Sequence, residues 1–355
     1  MAYTAIDDPS AYFKVQLYSG DGTAIGSGGQ AITFDDTDTD MQPDLVWVKS
    51  RTDSQNHNVS DSVRGGTKTL YANSSYFEET KTEAIASFQS DGFTVGDWEQ
   101  VNDSGDTFVA WNWNTQGGAG SSNTAGSINT TTTSVGTTQG FSMSTYTGND
   151  AAGATIGHGL GAVPGLIIIK CRDASQSWCV YHHKNTAAPE TDYLILDTNA
   201  ATADNVNRWN DTAPTSTLIT LGDENQVNGS QTYVAYAFTG KQGYSKFGGY
   251  TGNGDVDGVF NYTGFRPAYL VIKRTDGVES WLMLDNKRDP YNPAINYFLA
   301  NSANAETTGN PSIDFCANGF KMRDDDRNES GAEYVYIAFA ESPFVNSEGV
   351  PTNAR

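Results

Sequence analysis

The sequence has 355 residues, with 42 Asp and Glu against 21 Lys and Arg, which gives a net charge of −21 and a pI near 4.3. This acidity, with no basic cluster, argues against nucleic acid as a partner and disfavours anionic membrane surfaces, because both require clustered cations. Aromatic residues make up 12% of the chain, which argues against disorder, and no apolar run reaches the roughly 18 residues of a membrane span.

The chain begins with Met-Ala-Tyr-Thr-Ala-Ile-Asp-Asp-Pro, which has neither a basic segment nor an apolar core, so no secretory signal is predicted. The three cysteines, Cys171, Cys179 and Cys316, are too few and too irregularly spaced for a disulfide framework or a zinc site. We expect them to be small buried thiols. If the protein acts outside a cell, a route other than secretion brings it there.

An internal repeat is the strongest feature of the sequence. Three landmarks recur in one order, and the Lys that ends the second precedes the first aromatic residue of the third by 59, 63 and 61 residues. Such regular spacing indicates copies of one module. The landmarks are Tyr-x-Gly at 18–20, 146–148 and 250–252, an apolar run after Pro at 43–49, 164–170 and 267–273, and an aromatic alternation at 108–113, 233–238 and 334–339.

The landmarks have the patterns of strands. Val109, Trp111 and Trp113 of the third landmark share one face, which predicts a strand with one buried face. The second landmark is apolar without alternation and predicts a strand covered on both faces. Turn-forming residues separate these segments, and no window has a helical period. The predicted class is all-β, with three tandem β-sandwich (jelly-roll-like) repeats of about 100 residues.

The predicted domains are repeat 1 at 1–115, a linker at 116–138, repeat 2 at 139–240, and repeat 3 with a C-terminal tail at 241–355. The linker is rich in Gly, Ser, Thr and Asn, so we expect it to be flexible unless another surface pins it. Only a few residues separate repeats 2 and 3, which are therefore expected to pack as a pair.

A possible calcium site lies at 253–258, where Asn-Gly-Asp-Val-Asp-Gly copies the first half of an EF-hand loop. Asn253, Asp255 and Asp257 are the candidate metal ligands. Gly264 stands where the loop requires a bidentate Glu, so a plain β-turn is the alternative.

Two acidic runs, at 35–40 and 324–326, could also gather a cation. Solvated acidic loops are the alternative interpretation of both runs.

No catalytic motif is present. The four histidines, at 57, 158, 182 and 183, stand in no context typical of a nucleophile or a zinc protease. His182 and His183 could bind a metal, with a loop or interface pair as the alternative. Paired carboxylates for glycoside hydrolysis depend on spatial pairing, which sequence does not give. We predict that the protein is not an enzyme.

Carbohydrate recognition depends on exposed aromatic faces. Trp98 and Trp209 lie among polar residues and are candidate ligand or interface contacts. The other five tryptophans are expected in the core, at positions 47, 111, 113, 178 and 281.

Several longer phrases, with the landmarks, resemble a family of virion structural proteins of tailed bacteriophages, especially marine ones, whose members are described as tail-fibre-like or simply structural. The resemblance covers nearly the whole chain. The phrases are Asp-Ser-Val-Arg-Gly at 61–65, Gly-Phe-Arg-Pro-Ala at 264–268, Leu-Asp-Asn-Lys-Arg at 284–288, Ala-Phe-Ala-Glu-Ser-Pro-Phe at 338–344 and Gly-Val-Pro-Thr-Asn-Ala-Arg at 349–355.

The resemblance implies a place in a particle, and it gives no catalytic or binding residue that could be carried over to this chain. We expect a virion protein, made in the host cytoplasm and released by lysis, that acts as a tail-fibre or tail-tip component in host attachment. A capsid decoration protein or head fibre is the alternative, and a glycan-binding or glycan-cleaving depolymerase is a second one. Expected partners are other virion proteins, further copies of the chain and a host surface glycan. A trimer is the favoured oligomer, and a pseudo-trimeric arrangement of the three repeats within one chain is the alternative.

Overall fold

A computed structural model describes residues 3–34, 39–116 and 118–352, and it consists almost wholly of antiparallel strands. The predicted all-β class is confirmed. In the described part of the chain, no helix is long and apolar enough to cross a membrane. The helical segments are two 3₁₀ turns, Pro9–Ala11 and Ile25–Ser27, and two single-turn α-helices, α1 (Glu99–Asn102) and α2 (Val206–Trp209).

Repeat 1 forms a six-stranded sheet in the order β1-β9-β3-β4-β5-β6 and a three-stranded sheet in the order β2-β8-β7. Its strands are β1 (Phe13–Ser19), β2 (Gln30–Thr33), β3 (Leu45–Ser50), β4 (Asn58–Asp61), β5 (Lys68–Tyr71), β6 (Glu79–Thr80), β7 (Ile85–Gln89), β8 (Gly92–Val95) and β9 (Thr107–Trp113).

Repeat 2 forms a seven-stranded sheet in the order β10-β11-β18-β13-β14-β15-β16 and a two-stranded sheet of β12 and β17. Its strands are β10 (Thr132–Gly136), β11 (Phe141–Thr147), β12 (Ala154–Gly157), β13 (Leu166–Cys171), β14 (Cys179–His182), β15 (Asp192–Ile195), β16 (Ala203–Asp204), β17 (Leu218–Leu221) and β18 (Thr232–Phe238).

Repeat 3 forms one curled eight-stranded sheet in the order β19-β26-β21-β22-β23-β24-β25-β20. Its strands are β19 (Ser245–Thr251), β20 (Phe260–Tyr262), β21 (Phe265–Arg274), β22 (Leu282–Asp285), β23 (Ala294–Leu299), β24 (Thr307–Cys316), β25 (Gly319–Met322) and β26 (Glu333–Pro343).

One pairing order recurs in the three main sheets: β1-β9-β3-β4-β5, β11-β18-β13-β14-β15 and β19-β26-β21-β22-β23. The apolar landmark lies on β3, β13 and β21, and the aromatic landmark lies on β9, β18 and β26. The landmarks therefore lie side by side in the middle of each main sheet.

Each main sheet lies between two cores. Val109, Trp111 and Trp113 of β9 lie in a shared core that also contains side chains from repeats 2 and 3, whereas Phe108 and Ala110 lie in a separate core of repeat 1. The prediction of a single buried face for this strand is therefore wrong, because the second face is covered within its own repeat. Repeats 2 and 3 have separate cores of the same kind.

The shared core is lined symmetrically by the three repeats. A cavity of about 60 Å³ remains in it, with an almost wholly apolar lining. Trp113, Phe238 and Phe339, which occupy one position of the aromatic landmark, all contact this cavity. The large apolar area of these rings, removed from water between repeats, holds the three sheets together.

The repeats close into a ring through one backbone contact that recurs at each junction. In each case an N–H that follows the fifth strand of one main sheet donates to a carbonyl at the end of the apolar landmark strand of the next repeat. The contacts are Glu78 to Arg172 (2.7 Å), Thr202 to Thr275 (2.9 Å) and Glu306 to Arg51 (2.9 Å).

The described part of the linker is pinned to the protein surface. Strand β10 lies within the predicted linker and pairs antiparallel with β11, with Thr132 opposite Thr145. The Ser62 hydroxyl of repeat 1 donates to the Gly118 carbonyl at 3.1 Å. Repeat 2 therefore uses a strand that the sequence boundary at 138 assigned to the linker.

Candidate functional site

The predicted calcium loop folds as a turn that uses its own oxygens. Asn253 Oδ1 accepts a hydrogen bond from the Asp255 N–H (3.1 Å), and Asp255 Oδ1 accepts one from the Asp257 N–H (2.9 Å). Asp257 Oδ1 lies 2.7 Å from Lys321 Nζ, and this cation lowers the carboxyl pKa. The geometry therefore favours the β-turn alternative.

Other predicted cation sites gain no support. Among the residues that the structure describes, no three His, Cys, Asp or Glu side chains are grouped to hold a metal. Asp324 of the second acidic run accepts a hydrogen bond from the Ser312 N–H. Residues 35–38 of the first run lie outside the described residues. The three cysteines are unpaired, and Cys171 and Cys179 are buried.

The two candidate contact tryptophans differ in position. Trp209 is only 2% exposed and donates to the Asp192 carbonyl at 3.1 Å, so the prediction of an exposed ring is wrong. Its polar neighbours did not indicate exposure, because Asn210 is the C-cap of helix α2 and Arg208 is ion-paired with Glu224, whereas the indole packs inward. Trp98 is half-buried, with Lys81 Nζ 5.3 Å from its ring centroid. Of the five tryptophans expected in the core, four are buried and Trp47 is partly buried against it.

A buried asparagine holds the Tyr-x-Gly turn in every repeat. In repeat 2, Asn228 Oδ1 accepts from the Asn149 N–H (3.0 Å), while its Nδ2 donates to the carbonyls of Ala151 (3.0 Å) and Gly222 (2.8 Å). Asn102 and Asn328 occupy the same position. The landmark tyrosines donate to the carbonyl of the residue before the asparagine: Tyr18 to Val101 (2.7 Å), Tyr146 to Val227 (2.6 Å) and Tyr250 to Arg327 (2.6 Å).

A buried ionic cluster joins repeats 1 and 2. Asp61 and Arg64 are ion-paired at 2.6 Å with both side chains fully buried. The Tyr236 hydroxyl of repeat 2 donates to Asp61 Oδ2 at 2.6 Å. Glu78 accepts from Arg64 at 3.1 Å and from Arg172 of repeat 2 at 2.9 Å. Burial alone would raise the pKa of Glu78, but these two arginines lower it overall.

The same cluster recurs between repeats 3 and 1. Asp285 and Arg288 are ion-paired at 2.6 Å and fully buried, and the Trp111 indole of repeat 1 donates to Asp285 Oδ2 at 3.1 Å. Glu306 accepts from Arg288 at 3.2 Å and from Arg51 of repeat 1 at 2.9 Å.

The junction between repeats 2 and 3 has a histidine pair at this position. His182 Nε2 lies 3.2 Å from the Tyr336 carbonyl, and His183 Nε2 lies 2.7 Å from the Phe247 carbonyl. Burial lowers the pKa of His182 to about 3, so the ring is neutral. The facing landmark position is Ile337, which has no polar hydrogen to donate to a carboxylate. The pair therefore serves the interface between repeats, the alternative to a metal site.

A large concave surface lies between β19 and β20, the two edge strands of the repeat 3 sheet. We call it the β19 groove, and it has a volume of about 780 Å³. Its wall also includes Tyr3, Tyr336, residues 163–165 and the pair His183 and Lys184 of repeat 2. Lys184, Lys241 and Lys246 line it, and none of the described residues that line it is Asp or Glu. In a chain with twice as many acids as bases, this is a locally basic site.

The groove also presents aromatic rings and hydrogen-bond donors. Phe260 and Tyr262 are 44% and 49% exposed. Lys246 Nζ donates to the Tyr262 carbonyl at 2.6 Å and lies 5.3 Å from the Tyr262 ring centroid. Asn261 is 7% exposed, and its Nδ2 has no hydrogen-bond partner within the described structure. The groove therefore suits a ligand rich in acceptors and negative charge. Its lysines are scattered along the sequence, so only folding reveals it.

Comparison with known families shows one family to which the chain belongs. The family described as Domain of unknown function (DUF7483) matches residues 8–343, and the chain belongs to this family. No curated protein and no solved structure matches it.

Proposed function

We propose that this chain is a non-enzymatic structural protein of a tailed-bacteriophage particle, displayed on its surface as a tail-fibre or tail-tip component that contributes to host attachment. The resemblance of phrases along the chain, such as those at 61–65 and 338–344, supports the assignment to a virion. The observation that carries the attachment role is the ring of three repeats around a shared core. A ring of this kind matches the symmetry of a trimeric fibre and can sit on its axis.

Attachment of this type works through many weak contacts. Several copies on one particle raise the effective concentration of each binding site near the host surface, so avidity replaces single-site affinity. The partners in this proposal are other virion proteins, copies of the same chain in a trimer, and the host surface. The protein is made in the host cytoplasm and leaves by lysis, which requires no secretory signal.

A capsid decoration protein or head fibre is the second candidate. It is favoured by the linker, which pairs with β11 and lies against repeat 1 as part of one compact body. Compact surface modules suit a capsid exterior.

A glycan-binding or glycan-cleaving role is the third candidate. The exposed rings of Phe260 and Tyr262 beside Lys246 could contact an acidic host polysaccharide. Release of reducing sugar from host envelope polysaccharide would establish cleavage, and retention without release would leave binding alone.

A reconstruction of the infectious particle tests the proposal. The expected result is density for the ring at the tail, in a few dozen copies or fewer. Hundreds of copies on the head would transfer the assignment to capsid decoration. Absence of the chain from purified particles would overturn the virion role altogether.

A further inference from the structure

Repeats 2 and 3 differ in what fills the gap between the first strand of the main-sheet order shared by all repeats and the strand that follows it. In repeat 2 these strands are β11 and β12, and the chain's own linker lies between them. Strand β10 pairs with β11, and Ile128 of the linker forms a parallel bridge with Ile156 of β12. The Ile128 N–H also donates to the Thr155 carbonyl at 2.9 Å.

In repeat 3 the corresponding gap, between β19 and β20, is the β19 groove. The outer edge of β19 is paired at one end, where Ser245 forms an antiparallel bridge with Lys241, and it is open beyond that point at Gly249. The Ala340 N–H donates to the Tyr244 carbonyl and the Gly252 N–H donates to the Ala332 carbonyl, both at 2.8 Å. Because backbone bonds alternate along an antiparallel strand, Phe247 and Gly249 direct their N–H and C=O groups away from β26. The Phe247 carbonyl meets His183, and Gly249 has no partner on this side among the described residues.

In the filled gap of repeat 2, the side chains of β10 match those of the β11 edge with which it pairs. Strand β10 reads Thr-Thr-Ser-Val-Gly, and its hydroxyls pair with hydroxyls of β11: Thr132 with Thr145 at 2.7 Å and Thr133 with Ser144 at 2.9 Å. The open gap has no such hydroxyl row. Its edge carries Lys246 and Gly248 in place of Ser142 and Ser144, and Lys184 and Lys241 flank it.

We propose that the β19 groove accepts an extended acidic strand of a partner protein, which pairs with the outer edge of β19 as β10 pairs with β11. The exposed N–H and C=O groups of Gly249 supply the backbone pairing, and carboxylates of the strand meet Lys184, Lys241 and Lys246. The partner strand closes the curled sheet of repeat 3. This interaction goes beyond the proposed place in the virion and does not depend on it.

Selection from a random twelve-residue peptide library against the folded full-length chain tests the proposal. The expected binders are rich in Asp and Glu among β-branched residues, and they slow hydrogen exchange at the Phe247 and Gly249 amides. A selection that returns no binder above the empty matrix, or binders without acidic residues, overturns it.

Three variants locate the binding site. Lys184→Glu and Gly249→Pro should each weaken the best peptide at least tenfold, because the first reverses a flanking charge and the second removes an outward N–H that an edge strand can lose without unfolding. Lys287→Glu is the matched control and should leave peptide binding unchanged. Lys287 is exposed and occupies in repeat 3 the position that Lys184 occupies in repeat 2, but it lies beside a different, smaller groove at β1. Equal binding of the peptide by all variants contradicts the proposal. Alginate, an acidic polysaccharide, is the second probe. If the chain binds alginate but none of the peptides, the proposal is also contradicted, and the groove is assigned to an acidic glycan.

Discussion

The Tyr236 hydroxyl donates a 2.6 Å hydrogen bond to Oδ2 of Asp61, a buried carboxylate of a different repeat. Tyr236→Phe removes this donor but leaves Asp61 paired with Arg64, so we expect the free energy of unfolding to fall by about 1–2 kcal/mol. Urea denaturation measures the loss. Tyr76→Phe, at a ring 44% exposed, is the control and should change stability by less than about 0.5 kcal/mol. Equal effects of the two variants would contradict the role assigned to the contact.

Asp61→Asn should cost more than Tyr236→Phe. It removes the fully buried carboxylate of the Asp61–Arg64 pair and leaves Arg64 with its longer contact to Glu78. Breaking a buried ion pair from one side costs about 3–5 kcal/mol. The same urea experiment measures this loss. A cost no larger than that of Tyr236→Phe would show that Arg64 is adequately paired by Glu78 alone.

The buried asparagines should be necessary for the turns they hold. Asn228→Ala removes the partner of the Asn149 N–H and of the Gly222 carbonyl, while the Ala151 carbonyl keeps its bond from the Ala154 N–H. We therefore expect a loss of about 1–3 kcal/mol in the free energy of unfolding. Asn149→Ala changes an exposed side chain of the same turn and should cost less than about 1 kcal/mol. The opposite order of the two losses would contradict this account.

Three equivalent buried lysines should make the protein more stable in mild alkali. Burial lowers the pKa of Lys49, Lys170 and Lys273 to about 8, from 10.5. Between these values the unfolded chain holds protons that the folded chain has released, so the free energy of unfolding rises with pH from 8 to about 10. Denaturation midpoints over this range measure the rise. Lys170→Met should reduce the slope, and an unchanged slope would argue against a depressed pKa at this position.

Histidines whose pKa is lowered in the folded chain should destabilise the fold in mild acid. Burial lowers the pKa of His182 to about 3 from 6.5, and it also lowers the pKa of His183. Below pH 6.5 the unfolded chain binds protons that the folded chain excludes, so the free energy of unfolding falls between pH 6.5 and 5. His182→Asn should lose less stability over this interval than the wild type. A fall of the same size in both proteins would remove His182 as a cause.

Calcium should not stabilise the loop at 253–258. Asp257 already faces Lys321, and Asn253 and Asp255 accept backbone hydrogen bonds. We expect the same melting temperature in calcium and in a chelator. A rise of several degrees with calcium that Asp257→Asn abolishes would restore the site.

Sequence patterns predicted the landmark strands because periodicity is a local property, whereas the second covered face of β9 depends on packing within its repeat. Leu166 to Ile169 read as a strand covered on both faces, and the structure buries it between two cores. The burial of Trp209 could not be predicted, because it depends on a carbonyl of another strand, Asp192. The β19 groove could not be predicted either, since it joins residues far apart in the sequence, from Tyr3 to Tyr336.

The ring itself also depends on contacts distant in sequence. Asp61 and Arg64 lie three residues apart, and their spacing alone does not show that Tyr236 completes the cluster. The repeated landmarks indicated three similar modules. The contacts between modules depend on the shared core, which is formed by side chains of all three repeats.

The closing junction between repeats 3 and 1 gives the most direct test of the ring. The Glu306 N–H lies 2.9 Å from the Arg51 carbonyl, so cysteines at these positions are close enough to join. The variant with Arg51→Cys and Glu306→Cys should form an intramolecular disulfide, seen by mass spectrometry and a mobility shift in a non-reducing gel. Arg51→Cys with Thr202→Cys places the second cysteine at the same position of repeat 2 and should not. A disulfide in the control pair, or its absence between 51 and 306, would contradict the closed ring.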